Sequence, residues 1–187
     1  MPSPISYDAV RDVVARAHAA PFELRPAGPE DKAAVLALMD EAVAWMTSRG
    51  NTEQWGTEPF SASPRRVAQA DGWFGAGGAV LAMRDGKAAG ALVVGEAPAY
   101  VAEPTEPEVY VVLLVASRDP RARGIGRVLL ECAEDIGNEL GVPALRVDCY
   151  AGGDQALVRF YESAGFTRTE AFEVKGWPGQ VLERRLG

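Results

Sequence analysis

The chain is poor in the residues that bind metals or cross-link secreted folds. It has two cysteines, Cys132 and Cys149, which form no CxxC pair, and a single histidine, His18. So few cysteines exclude a disulfide framework. No metal site is expected, and a reducing cytoplasm is the default compartment. His18 falls in an N-terminal amphipathic stretch and reads as structural or exposed rather than catalytic. No apolar run approaches the roughly 20 residues that span a bilayer, so no membrane partner is expected. The opening MPSPISYDAVRDVV lacks the basic start and apolar centre of a signal peptide. Positive charge is scarce too: 19 Lys and Arg against 26 Asp and Glu leave a net charge of −7. A nucleic-acid binder would present a basic surface, which this balance argues against. The acidity is mildly compatible with a cationic acceptor.

What is present is ordinary for a globular domain: 187 residues, 48% apolar and 24% charged. Residues 1–21 read as a helical extension and 22–187 as the domain. Within the extension, residues 6–19 form an amphipathic helix with Val10, Val13, Val14 and Ala17 on one face. That helix could pack on the domain or on a second subunit, which leaves a homodimer open. A strand over 22–25 and a helix opening at Gly28-Pro-Glu-Asp31 follow, and Gly50 closes the helix. After a loop over 51–63, Pro64 begins a helix to about Asp71. Strands over 79–84 and 87–94 flank Asp85-Gly86, the strongest hairpin signal in the chain. A Pro- and Glu-rich connection leads to a strand over 109–116, apolar on both faces and so central. Next come a helix over 126–140, a strand over 144–150 and a helix over 154–164. Two last strands, 167–174 and 180–185, are separated by Trp177-Pro178-Gly179. Such an order predicts an α/β (α+β mixed) fold, a mixed sheet covered by helices.

The junction Tyr110-Val-Val-Leu-Leu-Val-Ala-Ser-Arg-Asp-Pro-Arg-Ala-Arg-Gly-Ile-Gly-Arg carries the chemistry. A strand–turn–helix of this kind aims free backbone N–H groups and a helix dipole at one small volume, the making of a phosphate site. Gly124 and Gly126 clear that volume, and Arg121, Arg123 and Arg127 would repel one another there without an anion. A P-loop needs four residues between its glycines and then Gly-Lys-Ser/Thr, which are missing. A dinucleotide site needs a third glycine where Leu129 stands; Asp148, roughly 20 residues on, keeps that reading weakly alive.

Arg121-Ala-Arg-Gly124-Ile-Gly126 resembles the Arg/Gln-x-x-Gly-x-Gly/Ala signature of the GNAT N-acetyltransferase superfamily. A strand and helix later, Asp154-Gln-Ala-Leu157-Val-Arg-Phe160-Tyr161-Glu-Ser-Ala-Gly165-Phe166 resembles its second signature, Asn-x-x-Ala…Tyr-x-x-x-Gly-Phe. The resemblance covers about residues 22–187. It implies a central, mostly antiparallel sheet splayed at a cofactor cleft, with the N-terminal helix as an addition. It implies acetyl-CoA as cofactor, with pantetheine along the backbone of Leu114, Val115 and Ala116. The pyrophosphate would lie on the turn Arg121, Ala122, Arg123, Gly124, Ile125, Gly126 and Arg127. Asp154 stands where the family's Asn meets pantetheine, and an N-cap role explains it equally well.

By the same resemblance Tyr161 gives a proton to the departing sulfur, and a backbone N–H near Val115 meets the oxyanion of a tetrahedral intermediate. Tyr161 also fits a packing stripe with Leu157, Phe160 and Ala164. The base is expected to be Glu108 first and Tyr110 second, with an ordered water as the other option. Trp55, Phe60, Glu103 and Glu106 are expected to form the acceptor site, since acids beside aromatics suit a cationic amine. The activity so implied is acetyl transfer to a primary amine of a small molecule or a protein. The alternative is an acyl-CoA-binding sensor or scaffold that has lost the chemistry.

Overall fold

Asp85 and Gly86 both take positive φ, 50° and 74°, as a two-residue type I′ hairpin requires. In the computed structural model, which describes residues 5–187, this turn joins β2 (Ala79–Arg84) to β3 (Lys87–Gly95). The other strands are β1 (Glu23–Pro26), β4 (Glu108–Ala116), β5 (Ala144–Tyr150), β6 (Thr167–Val174) and β7 (Trp177–Arg185). They form one seven-stranded sheet in the order β1-β2-β3-β4-β5-β7-β6. Among the described residues only β4 and β5 pair in parallel. The sheet is therefore mixed and mostly antiparallel, as expected.

The final hairpin differs from the sequence expectation. Its turn is Lys175-Gly176, again with positive φ at both positions (53° and 81°), so Trp177-Pro178-Gly179 belongs to β7 instead of the loop. Lysine gives none of the usual Asn-Gly or Asp-Gly signal for such a turn. Pro178 is tolerated because it lies beyond the last residue of β7 that pairs with β5, Gly179.

Helices cover both faces of the sheet. On one face α1 (Tyr7–Arg16), α4 (Ile125–Glu139) and α5 (Ala156–Ser163) share an apolar cluster that includes Val10, Val14, Leu129, Ile136 and Val158. Val10, Val13 and Val14 thus bury the N-terminal helix against its own domain, and Arg16 pairs with Glu139 of α4 at 2.6 Å. On the other face α2 (Lys32–Ser48) and α3 (Pro64–Gly75) cover β2, β3 and the end of β4. The third helix runs past Asp71 because Trp73 and Phe74 are buried there. No helix of the described residues is long and apolar enough to cross a membrane.

One buried acid ties β1 to the start of α2. The Asp31 carboxylate accepts from both Arg25 guanidinium nitrogens (2.8 and 2.6 Å) and from the Gly28 N–H (3.1 Å). The Arg25 hydrogen bonds hold the Asp31 carboxyl below its ordinary range, against the opposing effect of burial, with Gly28 helping. A depressed folded pKa contributes stability above the unfolded value of about 4, and that stability is lost as the pH falls below it. Asp31→Asn should lower unfolding stability at pH 7 by about 1.5 kcal/mol, a figure kept low because Arg25 is half exposed to screening water. In urea unfolding the gap between variant and wild type should close toward pH 3. A gap independent of pH would show that charge plays no part.

Candidate active site

The sheet opens between its two parallel strands. Pairing of β4 with β5 runs from Glu108–Ala144 to Val111–Val147 and stops. On the other side of β4, Val93 pairs with Leu113 but Val94 with Val111, so Val112 is an extra residue, a β-bulge. A bulge bends its strand, and this one falls at the split. Beyond it β4 keeps β3 on one side and, among the described residues, has no strand on the other. The Ser117 N–H donates to the Ala89 carbonyl at 2.8 Å. Antiparallel alternation then turns the backbone of Val115 toward β3, and that of Leu114 and Ala116 toward the gap. An amide-bearing arm could add there as a strand, on Leu114 and Ala116 rather than on Val115. A donor for an oxyanion likewise moves from Val115 to the Leu114 N–H.

The turn after β4 is built by Asp119, whose Oδ1 accepts from the Arg121 N–H at 2.9 Å. Gly124 has φ +91°, a conformation side-chain-bearing residues rarely adopt, and caps α4. The Ala122 N–H donates to Asp119 O, that of Arg123 to Pro120 O and that of Arg127 to Gly124 O. Those three groups are therefore committed. Among the described residues nothing accepts from the N–H groups of Gly124, Ile125 and Gly126. Nothing lies within 4 Å of where a Gly124 Cβ would stand, while a Cβ on Gly126 would meet Phe160 Cζ at 3.2 Å. Three free amides around an open glycine, at the positive end of a helix, suit a pyrophosphate.

The three arginines of the turn do not act together as expected. Arg121 is held by Asp119 (2.7 Å) and Asp85 (3.6 Å) and does not border the cleft. Arg127 borders it while donating to the Ser163 carbonyl (3.0 Å) and hydroxyl (2.8 Å). Arg123 borders it with no carboxylate within 4 Å among the described residues.

The cleft, about 560 Å³, passes through the split and takes walls from both faces of the sheet. Gly124, Gly126, Phe160 and Tyr161 line it from the α4–α5 side, Ala42 and Met46 from α2. Tyr161 packs edge-on to Phe160 and Phe166 (5.3 and 5.6 Å between ring centres) and is only 5% exposed. Its hydroxyl has no hydrogen-bond partner among the described residues, yet it is not a sealed orphan atom, so it opens on the cleft. Burial, with Cys149 and Asp148 adding to it, pushes this phenol far above its ordinary pKa and keeps it protonated. Asp154 lies outside this cleft. It is exposed and stands one residue before Gln155, the N-cap of α5, where its Oδ1 accepts from the Ala156 N–H at 3.0 Å in a local turn.

The expected bases are elsewhere. Glu108 is nearly buried and holds the equally buried Arg146 through two hydrogen bonds, to Nε and, at 2.8 Å, to Nη2. It does not border the cleft. Tyr110 is fully buried and donates its hydroxyl to Asp148 Oδ1 at 2.6 Å. The carboxylate that does border the cleft is Asp148, which also accepts from Tyr100 at 3.3 Å. Burial raises the Asp148 pKa, and the two tyrosine hydroxyls oppose that shift. The sequence marks Asp148 only by its spacing from the Arg/Gly turn; strand alternation, which sets it on the face opposite Leu145, Val147 and Cys149, is the signal that fits its place at the cleft.

The acceptor side is likewise rearranged. Trp55 lines the cleft, but Phe60 is buried behind it at 5.1 Å. Glu103 and Glu106 do not reach the cleft, and Glu106 pairs with Arg185. Tyr150 and Trp177, neither expected, complete the wall and stand 5.6 Å apart. They hold the loop after α2, Tyr150 by donating to Glu53 (2.7 Å) and Trp177 by donating to the Gln54 carbonyl (2.9 Å).

A sheet split between parallel neighbours, beside a glycine-opened helix start, is the architecture of an acetyltransferase. The model of the acetyltransferase (GNAT) family matches residues 41–166, and the chain belongs to that family. The family's cofactor is acetyl-CoA. An acetyltransferase of the GNAT family from Listeria monocytogenes superposes with a TM-score of 0.68 at 22% identity, over 88% of this chain and 95% of that one. Salmonella typhimurium yncA, solved with its cofactor acetyl-CoA, gives 0.61 at 18% identity over 89% and 94%. A ribosomal-protein-alanine N-acetyltransferase from Brucella melitensis gives 0.62 at 20% identity over 87% and 99%. At such identities these likenesses show the fold. No curated protein matches the chain in sequence.

Proposed function

We propose that the protein is an acetyl-CoA-dependent N-acetyltransferase whose acceptor is the primary amine of a small molecule. The observation that carries the reading is the Tyr161 hydroxyl, protonated, without a partner among the described residues and open to the cleft at the split. Acetyl-CoA, when bound, supplies the acetyl group as a thioester. The free N–H groups of Gly124, Ile125 and Gly126 hold its pyrophosphate, and the β4 backbone at Leu114 and Ala116 orients its amide arm. Asp148 takes the proton that the acceptor ammonium must lose, and burial has already raised its affinity for one. Tyr110 and Tyr100 aim that carboxylate. The Leu114 N–H meets oxygen charge as it develops; as the carbon–sulfur bond breaks, Tyr161 Oη gives its proton to the departing sulfur, and the second proton shed by the acceptor nitrogen restores the phenol. Trp55, Tyr150 and Trp177 border the acceptor's carbon arm.

Two measurements test this. Calorimetry should detect acetyl-CoA binding, and thiol release should be stimulated by amines across a panel of small primary amines. No binding at millimolar acetyl-CoA would end the proposal. Binding without turnover on every amine would favour a sensor.

A further inference from the structure

The acceptor side of the cleft also carries an unexplained pair of cations. Arg118, just past the end of β4, stacks on Trp45 of α2 with its guanidinium carbon 4.0 Å from the ring centre. Arg49 stacks on the same ring at 4.7 Å. Among the described residues neither guanidinium has a carboxylate within 4 Å. The nearby acid, Glu41, is engaged with backbone and hydroxyl instead: its Oε1 accepts from the Arg118 N–H at 2.8 Å and from the Ser117 hydroxyl at 3.3 Å. Two like charges on one indole repel each other, and an anion between or beside them relieves the repulsion. Arg121 and Arg146, by contrast, have each found an acid, and Arg123, which has none among the described residues, belongs to the turn on the α4 side of the cleft.

The location says whose anion it is. Arg118 borders the same cleft as Asp148, but it stacks against α2, the face opposite the α4–α5 side that carries Gly124, Gly126 and Phe160. The cofactor's phosphate cradle belongs to that other face. A cleft of about 560 Å³ with a carboxylate at one place and a free guanidinium at another suits a small zwitterion. We infer that Arg118, supported by Trp45 and Arg49, is a specificity-determining anion subsite, and that the acceptor is a small amine carrying a carboxylate or phosphate. The inference rests on the proposed N-acetyltransferase reading.

Matched amines test it: 4-aminobutyrate against butylamine, and O-phosphoethanolamine against ethanolamine. For the wild type, kcat/KM should favour the anionic member of at least one pair by tenfold or more. Arg118→Gln should collapse that ratio about tenfold, since a hydrogen bond to a charged group is lost, and Arg118→Lys should restore part of it. Equal rates for both members in the wild type would overturn the inference. So would an Arg118→Gln variant that lowers both members alike, which marks a structural role for the stack. If Arg118→Gln instead raised the KM for acetyl-CoA, with no such effect for acetyl-dephospho-CoA, the anion would be the cofactor's phosphate and the inference would also fall. A binding arm separates this from failure of the enzyme reading. 4-Aminobutyrate titrated into CoA-loaded protein should bind in the wild type and at least tenfold more weakly in Arg118→Gln, whether or not any amine is acetylated. Failure to bind, or equal binding to both proteins, counts against the subsite.

Discussion

Tyr161→Phe should lower kcat about a hundredfold while the calorimetric Kd for acetyl-CoA changes less than twofold. The size follows from the job. A positioned general acid contributes on the order of 10²–10⁴, and a thiolate departs readily enough to put this case at the lower end. A hundredfold is about 2.7 kcal/mol of transition-state stabilisation. The substitution is clean because the ring keeps its contacts with Phe160 and Phe166, and the hydroxyl leaves no partner behind among the described residues. Thermal stability should therefore stay within about 0.5 kcal/mol of wild type. Steady-state kinetics and a melting curve on the same preparation decide it. An unchanged kcat would reduce Tyr161 to one more aromatic of the packing stripe with Leu157, Phe160 and Ala164.

Glu108→Gln should have its effect on stability instead of chemistry. Glu108 and Arg146 are an ion pair with about nine-tenths of each side chain buried. Removing one charge of such a pair strands the other, at a typical cost of 3–5 kcal/mol. The lower figure applies here because the Ala102 carbonyl still accepts from Arg146 at 3.2 and 3.3 Å. A loss of about 3 kcal/mol in a chain of this size lowers the melting temperature by roughly 6–12 °C. Well below that temperature the pH–rate profile should match the wild type, because Glu108 does not border the cleft. The double variant Glu108→Gln/Arg146→Met should regain most of the lost stability, since it removes the stranded charge. A stable Glu108→Gln protein with a shifted pH–rate profile would make Glu108 the base after all.

These two residues also show where the sequence could be read and where it could not. Tyr161 stands in a local motif: seven residues after Asp154 and four before Gly165, on one amphipathic helix. Backbone periodicity alone carries that helix to the sheet. The Arg/Gly turn is local in the same way, and Gly124 takes the positive φ that such a helix start needs. Glu108 and Asp148 are different. Both lie on strands, and which of them meets the cleft depends on where β4 and β5 part company. That point is marked by the bulge at Val112, a residue of no special type whose neighbours are all apolar. Arg121 looked like a phosphate ligand until the β2–β3 hairpin brought Asp85 beside it. Arg118, which no motif singled out, owes its interest to a tryptophan about 70 positions earlier in the chain.

By itself, then, the sequence determined the helices, most strands, the Asp85-Gly86 hairpin, the glycine-opened turn before α4 and the tyrosine of the cleft. Each depends on residues within a turn or two of one another, where side-chain spacing and φ preference act directly. Only the tertiary structure decided which charges were spent. It paired Glu108 with Arg146, Arg121 with Asp119 and Asp85, and Glu106 with Arg185, and it left Asp148, Arg118 and Arg123 facing the cleft. The reason is physical: an ionic partner is chosen by distance in space across strands and loops, and no periodicity along the chain encodes that distance.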